Sequence, residues 1–488
     1  MNEEPGESTS HDIPMPAHLA EAIAKDWDPA PAMPHPARLD SAPSAAAHRV
    51  ALSKHFGGQS IVVPAGQLKP RANDTDYAFR AASSFTWLTG EKAEDAVLVM
   101  TPAEGGGHEA CLYVREFAQP GELSYFTSRT HGAVWVGNVP SVLDTEKALK
   151  LHTRPLTELG AALDKLRGTS AAVLSGVDAE IDARVADSTG GKLAQLLDEL
   201  RLIKDSWELG RLAYACDVTT RGFADVVREL PQVIGRADLR GERWLEGTFW
   251  RRARLEGNEV GYTSIVGAGP HATTLHWWRN NGVVQPGSLL LADMGVETDE
   301  LYTADVTRTM PVDGTWSPDQ LKVYRAVEEA QSAGINEVRL GADFMAAHRA
   351  AMWVLADHLH SWGVLPVTAD VSCDLDEDRP GAGLHRRYTL HSTSHMLGID
   401  VHDCALARDE LYKSGPLQTG YVLTVEPGLY FQSNDLSVPA ELRGIGVRIE
   451  DDIVVTDGDP INLSAALPRD PAEIEAWMRE VQSTPAAP

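Results

Sequence analysis

The sequence predicts a mixed α/β fold in two successive domains, and three observations carry that expectation. The chain has 488 residues, more than one ordinary hydrophobic core accommodates. Between about 41 and 195, short apolar runs ending in turn residues alternate with helical patterns. From about 245 the texture changes to strands and glycine-bearing turns, interrupted by helices near 318–338 and 343–362.

Taken in order, residues 1–40 carry repeated prolines around one short helical pattern, AHLAEAIAKDW, and read as a mobile arm. In the first domain, 41–195, QSIVVPAG, EDAVLVMTPA, ACLYVREF and HGAVWVG read as strands, and TEKALKLHTRPLTELGAALDKL as helical. Long amphipathic helices then lead into a second domain, 196–475, followed by a disordered tail, 476–488. The stretch DVSCDLDEDRPGAG reads as a surface loop that exposes Cys373.

Composition narrows the function. The 43 basic against 70 acidic residues give a formal charge of −27, which excludes nucleic acid and anionic membrane as partners. Four cysteines without a C-x-x-C pair fit free thiols in a reducing cytoplasm. The N-terminus lacks the basic and apolar regions of a signal peptide, and the apolar run SLLLA is only strand-sized. A cytoplasmic protein is expected.

The chemistry lies in carboxylates placed where strands should be apolar. LLLADMGVETDELYTADVTRTMPV reads as a hairpin centred on Asp299, which would oppose Asp293 and Asp305 on one face. Directly opposed residues have Cβ atoms roughly 4.5–5.5 Å apart, a poor arrangement for like charges unless a cation lies between them. Exposure of both at a turn is the equal alternative at this point. Glu426 interrupts the apolar YVLTVEPGLYF, and Glu450 lies in GIGVRIEDDIVVT, where alternation pairs it with Arg448 on one face. An arginine salt bridge is the simpler account of Glu450 taken alone.

HSTSHMLGIDVHD adds His391, His395 and His402. The first two have the i, i+4 spacing of a zinc-protease helix, but Ser392 stands where that motif needs its glutamate base. Four carboxylates with one neutral imidazole would balance two divalent cations. Such oxygen-rich ligation suits Mn²⁺, with Zn²⁺ or Co²⁺ as competitors, and paired metals of this kind are hydrolytic.

The order D…D…H…E…E in these contexts resembles aminopeptidase P, a member of the pita-bread metallopeptidases. The likeness spans about 200–465, and PAGQLKPRANDTDYAFRAASSFTWLTG weakly matches that family's N-terminal domain. The resemblance implies an N-terminal α/β domain before a catalytic domain with a curved antiparallel sheet flanked by helices. It implies that Asp305 and Glu450 bridge two Mn²⁺ ions, that Asp293 completes one site, and that His395 and Glu426 complete the other.

It further implies that His276, His391, His402 and Arg448 handle substrate and protons, and that Tyr430 lines the site. The bland readings are a core histidine packed on Trp277 and Trp278, an arginine balancing its strand, and a core tyrosine. The implied substrate is a peptide with proline at its second position, cut before that proline by a metal-bridging water. Assembly as a homodimer or homotetramer is implied as well. Prolidase, restricted to dipeptides, is the alternative, although HSTSH favours aminopeptidase P over its glycine-rich counterpart. A metal-free creatinase-like enzyme or a binding module fits less well, since all five ligand positions are filled. The chain departs from the pattern in a longer spacer between Asp293 and Asp305, in HDCALARDE, and in Met396.

Overall fold

A computed structural model describes residues 15–28, 38–73, 75–116, 118–129, 131–376 and 378–484. Two units divide the chain, one ending at Leu197 and the other beginning at Asp198. Both are mixed α/β, as expected. Much of the proline-rich arm, 1–14 and 29–37, lies outside the described residues, and its helical pattern forms Ala17–Ile23.

The first unit is built on strands β1 (Ser60–Pro64), β2 (Val97–Pro102), β3 (His108–Val114), β4 (His152–Pro155) and β5 (Ala171–Val173), in the order β4-β3-β2-β1-β5. The inner pairs are antiparallel and the two outer pairs parallel. Two expectations fail here. HGAVWVG forms a helical turn at Ala133–Val136 whose Val134, Trp135 and Val136 are exposed, so its apolar run is not a sheet residue pattern. The stretch expected to be helical is broken by β4, where Pro155 removes a helix donor and His152–Pro155 joins the sheet edge instead.

In the second unit, helices α1 (Ser206–Val233) and α2 (Gly241–Glu256) precede strands β6 (Ile265–Ala268), β7 (Leu289–Met294) and β8 (Val306–Pro311). Asp205 and Glu208 form a capping box that starts α1. Helices α3 (Pro318–Glu337) and α4 (Ala346–Ser361) follow, then β9 (Val422–Val425), β10 (Gly428–Tyr430), β11 (Gly446–Arg448), β12 (Asp451–Val454) and α5 (Pro471–Ser483). The apolar faces of α1–α5 close one core over β7 and β8, with Phe223, Leu245, Val323 and Leu355 fully buried.

The tail expected to be disordered from 476 is instead the body of α5. Ile474, Met478 and Val481 recur at helical spacing and are buried in that core, and Asp470 caps the first turn. Residues 485–488 lie outside the described residues. Cys373 is half-buried rather than exposed, with its thiol 3.9 Å from His385 Nδ1.

One buried cation ties the strands to the chain behind them. The Arg308 side chain, on β8, donates to the carbonyls of Pro468 (3.0 Å), Thr307 (2.9 Å), Glu450 (2.7 Å) and Leu467 (2.8 Å), and to Asp451 Oδ1 (2.7 Å). Gln331 and Ser464 also donate to Asp451. Removing one partner of such a buried pair costs up to about 3–5 kcal/mol, and here only the half-buried Arg469, 3.5 Å from Asp451 Oδ2, would remain to oppose the carboxylate. Arg308→Ala is therefore expected to lose about that much stability in urea titration, whereas a change below about 1 kcal/mol would show that the network is not coupled to folding.

Candidate metal centre

Two antiparallel ribbons bring the carboxylates together. In the first, β7 pairs with β8 so that Asp293 faces Thr307 and Met294 faces Val306. The hairpin therefore centres on Glu300 rather than Asp299, and Asp293 and Asp305 are diagonal neighbours on one face, not directly opposed. Leu301, at φ 71°, makes the turn, with Thr298 N–H donating to Tyr302 O. The diagonal separation of roughly 7–8 Å between such residues leaves room for an ion.

The second ribbon holds the opposed pair. β9 pairs with β12, and β10 with β11, in one continuous register. Both strands break at the same level, and counting in from either side places Glu426 opposite Glu450. Each break lets a backbone N–H leave its own ladder: Glu426 N–H donates to Thr393 O (2.8 Å) and Glu450 N–H to Thr307 O (3.1 Å). The interrupted hydrophobic run around Glu426 is the sequence trace of this gap.

His395 reaches the carboxylates from a loop laid along β9. Its N–H donates to Thr424 Oγ1 (3.2 Å), and Thr424 N–H donates back to His395 O (3.0 Å). Its Nε2 lies 3.3 Å from Asp305 Oδ2 and 3.6 Å from Glu426 Oε1. Asp293 and Asp305 are only 7% and 5% exposed, which overturns the solvent alternative. Arg448 donates to Asp293 Oδ2 (2.6 Å), while Glu450 accepts from Thr307 Oγ1 (2.6 Å), so the arginine salt bridge for Glu450 does not form.

Charge dominates the electrostatics. Burial pushes the Glu450 carboxyl well above the usual range, and Asp305, Glu426 and Asp293 push it further. Burial raises Glu426 to about 7, with His395 opposing and Asp305 reinforcing the rise. Asp293 is raised by burial, against the pull of Arg448. Burial alone would lower His395, but its hydrogen bond to Asp305 and the Glu426 charge lift it to about 9. Four carboxylates thus share one guanidinium and one imidazole, which leaves negative charge to be balanced. Divalent cations fit that place: Asp305, His395 and Glu450 can present ligand atoms within 4.8 Å of one another, with Asp293 and Glu426 beside them.

These five side chains line a cavity of about 850 Å³, together with His276, His391, His402 and Arg448. His276 is not a core histidine: it stacks on the exposed Trp278, while Trp277 stacks on His271 and donates to Glu242. The Tyr430 ring packs in a small core with Ile265 and Leu291 rather than on the cavity wall, and only its hydroxyl reaches inward. Arg448 Nη1 donates to that hydroxyl (3.0 Å), which lies 2.8 Å from His391 Nε2. Burial, followed by the Arg448 charge, holds His391 down at about 3, so it is neutral near pH 7. Met396 is fully buried and does not itself line the cavity, but it packs in one core with Phe344 and Tyr412, which do.

Sequence reasoning missed several contributors. Tyr262 donates to Asp293 Oδ1 (2.7 Å), Asp452 accepts the Asp305 N–H (3.1 Å), and His348 lies 2.9 Å from Thr393 Oγ1. Thr307 was legible: in DVTRT, positions 305, 307 and 309 alternate onto one face. Asp452 lies two residues after Glu450 in GIGVRIEDDIVVT and was legible in the same way, whereas Tyr262 and His348 reach the site from segments with no local signal of it.

After chelation of divalent metal, the raised groups make stability depend on pH. Glu426 at about 7 and His395 at about 9 both bind a proton more tightly folded than unfolded, where glutamate and histidine titrate near 4.3 and 6.5. Their stabilisation is complete below the unfolded values and is lost as pH rises through the folded ones. His391, shifted down to about 3, acts oppositely, but only below about 6.5. The melting temperature of the chelated protein is therefore expected to fall from pH 6.5 to 9, and added Mn²⁺ to restore it. A flat profile would show that the carboxylates do not share protons.

The sequence pattern of metallopeptidase family M24 matches residues 210–457, and that of the aminopeptidase P N-terminal domain matches 45–174. The chain is 50% identical over 446 residues to Xaa-Pro aminopeptidase 1 of Streptomyces coelicolor, covering 90% of this chain and 88% of that one. It is 49% identical over 444 residues to Xaa-Pro aminopeptidase 2 of the same organism, covering 91% and 92%. Among solved structures, aminopeptidase P from E. coli with the inhibitor Pro-Leu superposes with a TM-score of 0.79 at 26% identity, covering 92% of this chain and 100% of that one. With the carboxylate–imidazole cluster lying inside the matched segment, the chain belongs to metallopeptidase family M24.

Proposed function

We propose that this protein is a metal-dependent aminopeptidase that releases the N-terminal residue from peptides with proline in second position. The observation that carries the reading is the convergence of Asp305, His395 and Glu450, flanked by Asp293 and Glu426, in a cavity that also presents three further histidines and Arg448. Asp305 and Glu450 would hold both of two metal ions, Asp293 one of them, and His395 and Glu426 the other. Mn²⁺ suits a set of four carboxylates and one imidazole. When bound, the two ions would polarise the scissile carbonyl and lower the pKa of the attacking water.

The remaining work falls to the chain. His391 Nδ1 lies 2.9 Å from Ser392 O, an acceptor, so Nδ1 carries the proton and Nε2 accepts from Tyr430. Burial pushes the Tyr430 hydroxyl up to about 12, which keeps it protonated as a donor. Arg448 donates to Tyr430 and Tyr430 to His391, a chain that fixes the guanidinium beside Asp293, where its remaining N–H groups can orient the peptide and stabilise charge on its carbonyl oxygen. His276 and His402 stand on the open cavity wall, where an imidazole can deliver the proton that the departing prolyl nitrogen needs. None of the four cysteines is among the residues lining the cavity, and burial raises the Cys404 and Cys216 thiols well above their ordinary range.

No described helix is long and apolar enough to cross a membrane. A cytoplasmic location and a homodimeric or homotetrameric assembly complete the proposal, the first supported by four free cysteines.

A length series with Mn²⁺ tests the activity: Gly-Pro-Ala should be cleaved to glycine and Pro-Ala. Turnover of Gly-Pro alone would identify a prolidase instead. Asp305→Ala should remain folded by circular dichroism yet lose more activity than the roughly 10–100-fold typical of an outer-shell partner. Near-normal turnover in that variant would sink the bridging assignment.

A further inference from the structure

His402 is placed by its backbone. Among the described residues its side chain makes no hydrogen bond, and its ring meets His395 edge-on with centroids 4.4 Å apart. Whatever fixes the chain at 402 therefore aims the imidazole, and the next residue is fixed unusually firmly.

The Asp403 carboxylate is buried, and two buried cations from the segment preceding α1 clamp it. Arg201 Nη2 donates to Oδ1, and Lys204 Nζ donates to Oδ2 at 3.1 Å; the side chains of Arg201, Lys204 and Asp403 are 4%, 1% and 1% exposed. Arg201 also pairs with Asp400 (2.9 Å) and Asp198 (3.4 Å), and the Cys404 thiol lies 3.3 Å from Asp403 Oδ2. The loop itself is closed at its neck: Asp403 N–H donates to Met396 O (2.9 Å), and Thr303 N–H to Gly398 O (2.9 Å). Gly398 is required there, since a Cβ would fall 2.1 Å from Asp403 Oδ2 and 3.0 Å from Lys204 Cε. One end of this loop carries His395 and the other His402.

We propose that the Arg201–Asp403–Lys204 cage is the positioning device for His402, holding its imidazole over the cavity; this rests on the peptidase reading for the part His402 plays. Arg201, Lys204 and Asp403 are positioning residues, acting through the loop and not on substrate. Lys204 pairs with Asp403 alone, so it can be removed while Arg201 stays on that carboxylate. Lys204→Met leaves the Arg201–Asp403 pair in place, whereas Asp403→Asn strands the buried Lys204 ammonium and endangers the fold.

The test therefore uses Lys204→Met in the full chain loaded with Mn²⁺, alone and combined with His402→Ala. Lys204→Met is expected to lower kcat on Gly-Pro-Ala by roughly 10- to 100-fold with KM nearly unchanged, to keep the metal content of the parent, and to speed amide exchange selectively across 396–404. In the His402→Ala background the same change should cost little more, because both act through one group. Lys204→Arg should recover most of the loss. Multiplying losses in the double variant, loss of metal, or unchanged exchange across 396–404 would each overturn the proposal. A parent chain inactive on Xaa-Pro peptides would overturn the functional reading instead, leaving exchange and metal content to decide the cage.

Discussion

Four carboxylates buried around one cavity are the constraint from which the rest of this protein's second unit follows. Like charges at this density cannot all remain ionised on side chains this deeply buried without compensating positive charge. The chain supplies Arg448 against Asp293 and His395 against Asp305 and Glu426. It also breaks both strands of the second ribbon at one level, where Glu426 and Glu450 leave the ladder. The interruption frees two carboxylates to face each other without forcing an ordinary cross-strand like-charge pair. The site is therefore built by suspending regular structure locally, within a sheet that stays regular on either side.

The same field divides two histidines only four residues apart. His395 touches Asp305 and Glu426, which favour its charged form over the opposition of burial. His391 is also enclosed, and although its Nδ1 lies 3.5 Å from Glu426 Oε2, burial and the Arg448 charge act together and keep it neutral. One imidazole is thereby committed to the carboxylates and the other to neutral hydrogen bonding with Tyr430. The H-x-x-x-H spacing says nothing about this division, because the pair lies in a loop along β9 and not on a helix face.

What was legible in the sequence was the placement of charge in apolar strands. Asp293, Asp305, Glu426 and Glu450 each stand out against neighbours that are buried, and all four fall in the cavity. The diagonal offset of the aspartates was not legible, because Leu301 takes a left-handed turn that no local composition announces. Nor was the opposition of the two glutamates, which depends on a register set by strands more than twenty residues apart. Residues 131–137 and 476–483 misled for a related reason: an apolar run and a polar-sounding terminus acquire their structure from what they pack against. Tyr430 was half legible, being both core ring and site hydroxyl.

Two buried ion networks flank the centre, and their energetics bear on their purpose. Arg308 and Asp451 fasten β8 to β12 and to the chain at 467–468, immediately behind Glu450. Arg201, Lys204 and Asp403 fasten the loop between His395 and His402. Apolar packing of similar volume commonly stabilises a fold as well as such groups do, or better. A hydrophobic cluster, however, is non-directional, while a guanidinium with five donors or a carboxylate with two cations fixes its neighbours in orientation as well as position. Metal ligands and proton carriers need orientation held within fractions of an ångström. That requirement explains why charge is buried on both flanks of a centre already crowded with it.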